Sequence, residues 1–189
     1  MPFEVRYETS FLPFYEGTQW APPFVPELKE TVATLYETSD GYSLDARGLA
    51  DTYAYSTIKH LGAGQFYLMA TKDKSGASLD GGGSYRLTVP ANAPIRQYWS
   101  AVVYDRATHA LIRDVSRASR SSQNPDQQKN ADGSVDLYFG PKAPAGKESN
   151  WIPTNPASKF EVMFRAYGPE KAFFDKTWKL SDIEKIAAQ

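Results

Sequence analysis

A two-residue alternation of apolar and polar side chains constrains the fold of this chain more than any other sequence feature. Within segment 129–154, KNADGSVDLYFGPKAPAGKESNWIPT, the apolar residues Val135, Leu137 and Phe139 alternate with polar ones. An Asp-Gly pair precedes this alternation and a Gly-Pro pair ends it. Successive side chains of a strand point to opposite faces, so the pattern predicts a strand with one buried face that is entered through a hairpin turn.

The same period recurs in the second half of the chain. Further strands are predicted at 66–71, 85–89, 97–105 and 160–167. Segment 97–105 is apolar on both faces, which favours a central strand. Turn residues rather than helices separate these segments, and this order is typical of an antiparallel β-sandwich.

The chain is expected to divide into three parts. Segment 1–44 is predicted to be irregular, because it is rich in aromatic residues and carries three prolines within five positions. A helix is predicted within 45–63, where apolar side chains recur at i, i+3, i+4 and i+7 between Asp45, a suitable N-cap, and Gly62. The remaining residues, 64–189, form the predicted β-sandwich domain.

Several stretches of this sequence resemble one known family. They read YLMATKDKSGASLDGGGSYRLTVPANAPIRQYWSAVVYD, KNADGSVDLYFGPKAPAGKESNWIPT and FRAYGPEKAFFDKTWKLSDIE. They are similar to the C-terminal module of bacterial two-domain proteins, the domain of unknown function 1214 family. The resemblance covers residues 40–185 and implies a jelly-roll-like β-sandwich in a protein that is often exported. It implies no established chemistry.

In that family a second β-domain often precedes the module, and these 189 residues hold no such domain. We therefore expect a fragment, one half of a split protein or a free-standing version. The expected fold is mainly β, an antiparallel jelly-roll-like β-sandwich with one amphipathic helix packed near its N-terminal side.

Composition excludes several classes of function. The chain has no cysteine, which excludes disulfides and thiolate catalysis, and its net charge of -1 gives no general attraction to nucleic acid or to anionic membranes. It lacks a run of about 18 apolar residues, and its N-terminus does not read as a signal peptide. We expect neither a nucleic-acid partner nor a membrane partner, and the compartment stays open.

No familiar catalytic or metal motif is present. His60 is expected at a helix end and His109 in a surface turn, and no G-x-S-x-G elbow accompanies them. The alternate polar residues of 130–136 suggest calcium ligands, but the glycine and glutamate that a calcium loop needs are misplaced or missing. We therefore expect no metal and no cofactor.

Segment 106–129 carries a local excess of positive charge within a long polar stretch. Its basic residues are Arg106, Arg113, Arg117, Arg120 and Lys129. Arginine binds carboxylates and phosphates through two parallel hydrogen bonds, so this segment could hold an anion. The alternative is a solvated basic surface loop.

Eight residues with polar or aromatic side chains are the candidates for a binding site. They are Arg47, Tyr98, Tyr104, Asp136, Tyr138, Trp151, Arg165 and Tyr167. If the strand faces that carry them converge, they form a concave surface with a few fixed polar groups, as small-molecule sites do. In the alternative, Arg165 pairs with Asp136 across a sheet and the tyrosines cap the sandwich.

Three hypotheses of function follow. The first is a module that binds a small molecule or a glycan through an aromatic and arginine-bearing cleft, since aromatic residues make up 14% of the chain. The second is a hydrolase or lyase that uses tyrosine, arginine and carboxylate groups. The third is a structural half-domain that forms a homo-oligomer or pairs with a separate N-terminal partner domain.

Overall fold

The computed structural model describes residues 13–22, 37–38, 41–42, 64–113 and 115–187. Within these ranges the fold is mainly β, with ten strands, one short helix and a 3-10 turn. The strands are β1 (Glu37–Thr38), β2 (Gly41–Tyr42), β3 (Gln65–Ala70), β4 (Ser84–Val89), β5 (Ile95–Asp105), β6 (Ser119–Ser121), β7 (Val135–Gly140), β8 (Trp151–Pro153), β9 (Phe160–Pro169) and β10 (Glu184–Ile186). The helix α1 is Lys171–Phe174, and the 3-10 turn is Glu148–Asn150.

The larger strands form two four-stranded sheets. The first sheet has the order β3-β9-β5-β6 and is antiparallel throughout. The second sheet has the order β10-β4-β7-β8 and is mixed, because β7 and β8 run parallel. The prediction of a wholly antiparallel structure is therefore wrong at β8, where the proline-containing loop after β7 returns the chain in the same direction. Strands β1 and β2 form a separate two-stranded pair.

One face of each sheet supplies the core. The alternate residues Val135, Leu137 and Phe139 of β7 are buried, as the two-residue period predicts. Aromatic rings join the two sheets: the centroid of Phe160 in β9 lies 5.6 Å from that of Tyr85 in β4 and 6.1 Å from that of Phe139. The other face of each sheet therefore points away from the shared core.

Residues 13–22 contribute to this core although they form no long strand. Tyr15 and Trp20 are fully buried, and the indole nitrogen of Trp20 donates a 2.8 Å hydrogen bond to the carbonyl of Ser181. Ala21 extends the edge of the first sheet by two backbone hydrogen bonds with Met69. The contribution of this segment to the core that the two sheets share was not predicted.

The Asp132-Gly133 turn has the expected local geometry but a different role in the topology. Gly133 takes a φ of +82°, a left-handed value that glycine adopts without strain, and the Asp132 carboxylate accepts hydrogen bonds from the backbone N–H and hydroxyl of Ser134. The turn does not close a hairpin between consecutive strands, because β7 pairs with β4 and β8. The hairpin prediction is therefore wrong, while the strand prediction is confirmed.

Short elements lie outside the main strands. Helix α1 follows β9, and the long polar stretch that was interpreted as a surface loop contains strand β6. At the C-terminal end, β10 pairs with β4. The predicted helix within 45–63 lies outside the described residues. In the part of the chain that the structure describes, no helix has the length and hydropathy of a membrane span.

Candidate functional site

The outer face of the first sheet brings four tyrosines and one arginine together. Strand register places Arg165 of β9 between Tyr67 of β3 and Ser100 of β5, and it places Tyr167 beside Tyr98. Tyr104 lies further along β5, and its side chain reaches back to Arg165. We call the five residues Tyr67, Tyr98, Tyr104, Arg165 and Tyr167 the Tyr/Arg cluster. All five side chains are partly buried, so the cluster is accessible to solvent.

The rings of this cluster have defined mutual geometry. The rings of Tyr98 and Tyr167 stack at a centroid distance of 4.3 Å with planes 13° apart, and Tyr67 meets Tyr167 edge-on at 6.4 Å. The guanidinium carbon of Arg165 lies 5.3 Å from the Tyr67 ring centroid and 5.9 Å from that of Tyr104. Arg165 also donates a hydrogen bond to the Tyr104 hydroxyl. These cation–π contacts hold the arginine in place among neutral rings.

The surroundings of three phenols in the cluster shift their pKa values, two upward and one downward. Burial raises the pKa of Tyr67 and of Tyr98, and the hydrogen bond that each shares with Tyr167 raises it further. Burial also opposes ionisation of Tyr167, but hydrogen bonds from Tyr67, Tyr98 and Arg165 and the positive charge of Arg165 outweigh burial and lower its pKa. Of these three phenols, Tyr167 is therefore the one that loses its proton most readily.

The sequence placed four of these five residues in the candidate site. Tyr98, Tyr104, Arg165 and Tyr167 lie together on one sheet face, as the strand pattern indicated. Tyr67 was missed, although a signal was present. It alternates with Phe66 and Leu68 in a predicted strand, so the same period-two argument assigns it to the outer face.

The other predicted site residues do not join this cluster. Asp136, Tyr138 and Trp151 lie on the outer face of the second sheet, across the core from the Tyr/Arg cluster. The site with all eight residues is therefore not formed as predicted, because strands with the same period belong to different sheets. Arg47 lies outside the described residues.

The proposed pairing of Arg165 with Asp136 is also wrong, since the two residues belong to different sheets. Asp136 instead accepts a hydrogen bond from the Thr88 hydroxyl of the adjacent strand. The indole of Trp151 donates to the Gly140 carbonyl at 2.9 Å. Burial is the main reason that the pKa of Tyr138 is raised, with the nearby charge of Asp136 adding to it.

A buried charged group lies at the far end of the first sheet. Glu161 of β9 accepts from Arg106 at 3.3 Å and contacts the Nδ1 atom of His109 at 3.0 Å. His109 does lie in the predicted turn after β5, with a φ of +53°. Its imidazole, however, contacts the buried carboxylate of Glu161. The surface-turn interpretation therefore holds for the backbone of His109 but not for its side chain.

The basic segment is largely paired with groups of the protein itself. Arg120 is buried and binds both carboxylate oxygens of Asp126, and Arg117 donates to the Glu148 carbonyl at 3.2 Å. Together with the Arg106–Glu161 pair, these contacts place three of the five cations in structural roles. This favours the interpretation as a surface loop over that of an anion site.

Two further features bear on where a ligand could bind. A cleft of about 130 Å³ lies where β4 ends, near Trp99 and Lys129, and none of the eight predicted residues lines it. Among the described residues, no group of three metal-ligating side chains gathers closely enough to hold a metal ion. The Tyr/Arg cluster is therefore the strongest candidate site by its chemistry.

The chain belongs to the family described as "Protein of unknown function (DUF1214)", whose model matches residues 64–171. The match confirms the resemblance noted in the sequence. A search of curated proteins finds no match.

Two solved structures are similar to this one. The VPA0106 protein from Vibrio parahaemolyticus has a TM-score of 0.61 and 18% identity, over 85% of this chain and 41% of that one. An uncharacterized protein from Burkholderia cenocepacia has a TM-score of 0.42 and 19% identity, over 66% of this chain and 30% of that one. The present chain thus spans about two-fifths of the length of the Vibrio protein, and the likeness to that protein concerns the fold alone.

Proposed function

We propose that this chain binds a small molecule or glycan that bears a carboxylate, and that the Tyr/Arg cluster is the binding site. One observation carries the proposal. Arg165 is a partly buried cation surrounded by phenols, and no carboxylate of the described residues forms an ion pair with it. The other buried arginines described, Arg106 and Arg120, each bind a carboxylate.

The chemistry of arginine explains why a carboxylate is the expected ligand group. The guanidinium carries five N–H donors in a planar arrangement that fits two carboxylate oxygens. In the described residues the Nε atom of Arg165 is buried and has no hydrogen-bond partner. A buried donor without a partner costs about 1–3 kcal/mol, so a ligand carboxylate that supplies acceptors for Arg165 would recover part of that cost.

The aromatic rings supply the second part of the recognition. The stacked pair Tyr98–Tyr167 and the edge-on ring of Tyr67 form an aromatic surface beside Arg165. Apolar rings combined with a few fixed polar groups are the usual composition of small-molecule sites. A sugar acid matches this surface because its ring packs on tyrosine while its carboxylate reaches Arg165.

The test is a thermal-shift and calorimetry series with three probes: D-galacturonate, D-galactose and acetate. Galactose lacks the carboxylate and acetate lacks the ring, so the series separates the two parts of the site. We expect galacturonate to stabilise the chain most. Saturation at 100 times the dissociation constant adds about 2.7 kcal/mol to the free energy of unfolding.

Arg165→Gln provides the variant and Arg86→Gln the matched control. Arg86 lies on the outer face of the second sheet and pairs with Glu184 at 3.0 Å. We expect Arg165→Gln to abolish the galacturonate effect and Arg86→Gln to retain it. Equal binding by both variants would refute the proposed site. If a broad panel of sugar acids, aromatic acids and dicarboxylic acids also fails to stabilise the native chain, carboxylate binding itself is refuted.

Assembly through an apolar surface is the weaker alternative. Of the large hydrophobic side chains in the described ranges, Leu111 is the one that is exposed, at 52%. A single exposed leucine provides little of the contiguous apolar area that an obligate interface buries. A clean monomer in sedimentation would support the binding module over a homo-oligomer.

We also infer a jelly-roll-like arrangement of the two sheets. Strand partners that are distant in sequence, such as β4 with β10 and β3 with β9, support it.

A further inference from the structure

Tyr167 lies beside two other phenols and one guanidinium. Its ring stacks on that of Tyr98 at a centroid distance of 4.3 Å and meets that of Tyr67 edge-on at 6.4 Å, and it follows Arg165 by two positions on the same face of β9. The pKa of Tyr167 is lowered, whereas the pKa values of Tyr67 and Tyr98 are raised. Neighbouring groups whose pKa values are pushed apart in this way provide one proton acceptor and one proton donor, which is what acid–base catalysis needs.

Arg165 is placed to activate a carbon acid beside that acceptor. Arg165 and Tyr167 are alternate residues of β9, so their side chains leave the same face about 6.6 Å apart. When a ligand carboxylate binds Arg165, the ligand carbon bonded to that carboxylate lies close to Arg165. Tyr167 is the next residue on the same strand face, so it is the nearest phenol along β9 that could take a proton from this carbon. The guanidinium also stabilises the negative charge that develops on the carboxylate oxygens when the α-proton leaves.

The residues on the outer face of the first sheet are better suited to catalyse an elimination than a hydrolysis. Glycoside hydrolysis ordinarily uses two carboxylates, one on each side of the scissile bond. On the described part of the outer face of the first sheet the strands place one carboxylate, Glu161, which is buried between Arg106 and His109. Elimination adjacent to a carboxylate needs a base, an acid and a cation, and the Tyr/Arg cluster supplies all three.

We propose that the Tyr/Arg cluster catalyses β-elimination in a polyuronide, a glycan built of uronic acid sugars. The inference rests on the proposed binding of a carboxylate at Arg165 and adds the chemistry of the same site. Tyr167 is the catalytic base, Arg165 binds and neutralises the uronate carboxylate, and Tyr98, stacked on Tyr167, is the acid.

The step balances without an external reactant. The ionised oxygen of Tyr167 takes the proton from the carbon next to the carboxylate, and the electron pair of that C–H bond forms a carbon–carbon double bond. The bond from the neighbouring carbon to the glycosidic oxygen then breaks, and this oxygen keeps the electron pair. It takes a proton from Tyr98, and a proton passes from Tyr167 back to Tyr98 through solvent. The products are an unsaturated uronate and a new sugar hydroxyl.

The experiment measures two quantities on the full chain with polygalacturonate, alginate and hyaluronan as probes. Formation of the conjugated double bond is followed by ultraviolet absorbance, and binding is followed by calorimetry. We expect at least one polymer to be bound and converted. Tyr167→Phe should keep its affinity and melting temperature but lose about 10²–10⁴-fold in rate, the usual contribution of a general base. Tyr138→Phe, on the second sheet, should change neither quantity.

Three results separate the possible failures. Binding of the polymers without any unsaturated product would overturn the elimination and leave the binding proposal intact. A product that Tyr167→Phe forms at the native rate would overturn the assignment of the base. Absence of binding to all three polymers would overturn the polyuronide proposal, and the galacturonate series with Arg165→Gln then decides the fate of carboxylate binding. A rate that rises with pH below the usual tyrosine pKa, and that loses this rise in Tyr167→Phe, would support the base assignment.

Discussion

The outer faces of the two sheets carry similar side chains but pair them in opposite ways. On the second sheet Arg86 binds Glu184 at 3.0 Å, and Thr88 donates to Asp136. On the first sheet Arg165 is surrounded by tyrosines and donates a hydrogen bond to the phenol of Tyr104. The second face cancels its charges within the protein, whereas the first leaves a cation that an external anion can neutralise.

Each outer face also carries one glutamate with two basic neighbours, so the two faces can be compared directly through Glu161 and Glu184. Glu161 contacts Arg106 and His109, and Glu184 contacts Lys74 and Arg86. Each carboxylate thus contacts two basic groups, but the side chain of Glu161 is 2% exposed and that of Glu184 is 37% exposed. Burial rather than the number of partners therefore determines what each carboxylate contributes.

The largest expected effect is that of Glu161→Gln on stability. Removing one partner of a buried ion pair leaves an uncompensated buried charge, here on Arg106, and typically costs about 3–5 kcal/mol. Urea denaturation of the variant and the native chain measures the difference in the free energy of unfolding. A loss no greater than that of Glu184→Gln would show that burial does not separate the two glutamates.

The second largest expected effect concerns the pH at which the tyrosine phenols ionise. Spectrophotometric titration of the folded chain should reveal a phenol that ionises below its usual pKa of 10, and Tyr167→Phe should remove it. Because the folded state favours the ionised form, Tyr167 contributes stability that is present above pH 10 and lost as pH falls through its lowered pKa.

The tyrosine titration has a control on the other sheet. Tyr138→Phe should leave the early ionisation in place, because burial raises the pKa of Tyr138. Persistence of the early step in Tyr167→Phe would contradict the assignment of the acidic phenol and weaken the proposed base.

The smallest expected effect is that of Glu184→Gln. Lys74 and Arg86 lower the pKa of Glu184, so its contribution to stability is present above the usual pKa of glutamate and is lost as pH falls through the lowered value. Exposed ion pairs contribute about 0.2–1 kcal/mol and are screened by salt. Urea denaturation at neutral and acidic pH, at low and high salt, checks both the size and the sign. A salt-independent loss of several kcal/mol would contradict the surface description.

The fold was predictable where alternation in sequence dictates burial. The strands at 85–89 and 160–167 were located by their apolar period, and both are observed within one or two residues. Strand partners were not predictable, because any two strands of the same period are equally compatible with a shared core. The parallel β7–β8 pair and the distant β4–β10 pair depend on tertiary packing rather than on local pattern.

The sequence predicted which site residues share a face of one strand, but not which strands share a sheet. The period of each strand indicated that Arg165 and Tyr167 share one face of their strand and that Tyr98 lies on one face of its own, and the register then brings the three together. The same period put Asp136 and Tyr138 on an outer face as well, but the sequence does not say to which sheet that face belongs. The contact of His109 with Glu161 was not predictable either, since it joins residues 52 positions apart in the sequence.

The most direct test of the central claim is a backbone amide NMR titration of the chain with D-galacturonate. We predict saturable shifts at Tyr67, Tyr98, Arg165 and Tyr167 of the first sheet, with Arg86 and Tyr138 of the second sheet unaffected. Shifts centred on the second sheet or on the cleft near Trp99 and Lys129, or the absence of any saturable shift, would contradict the assignment of the Tyr/Arg cluster as a carboxylate-binding site.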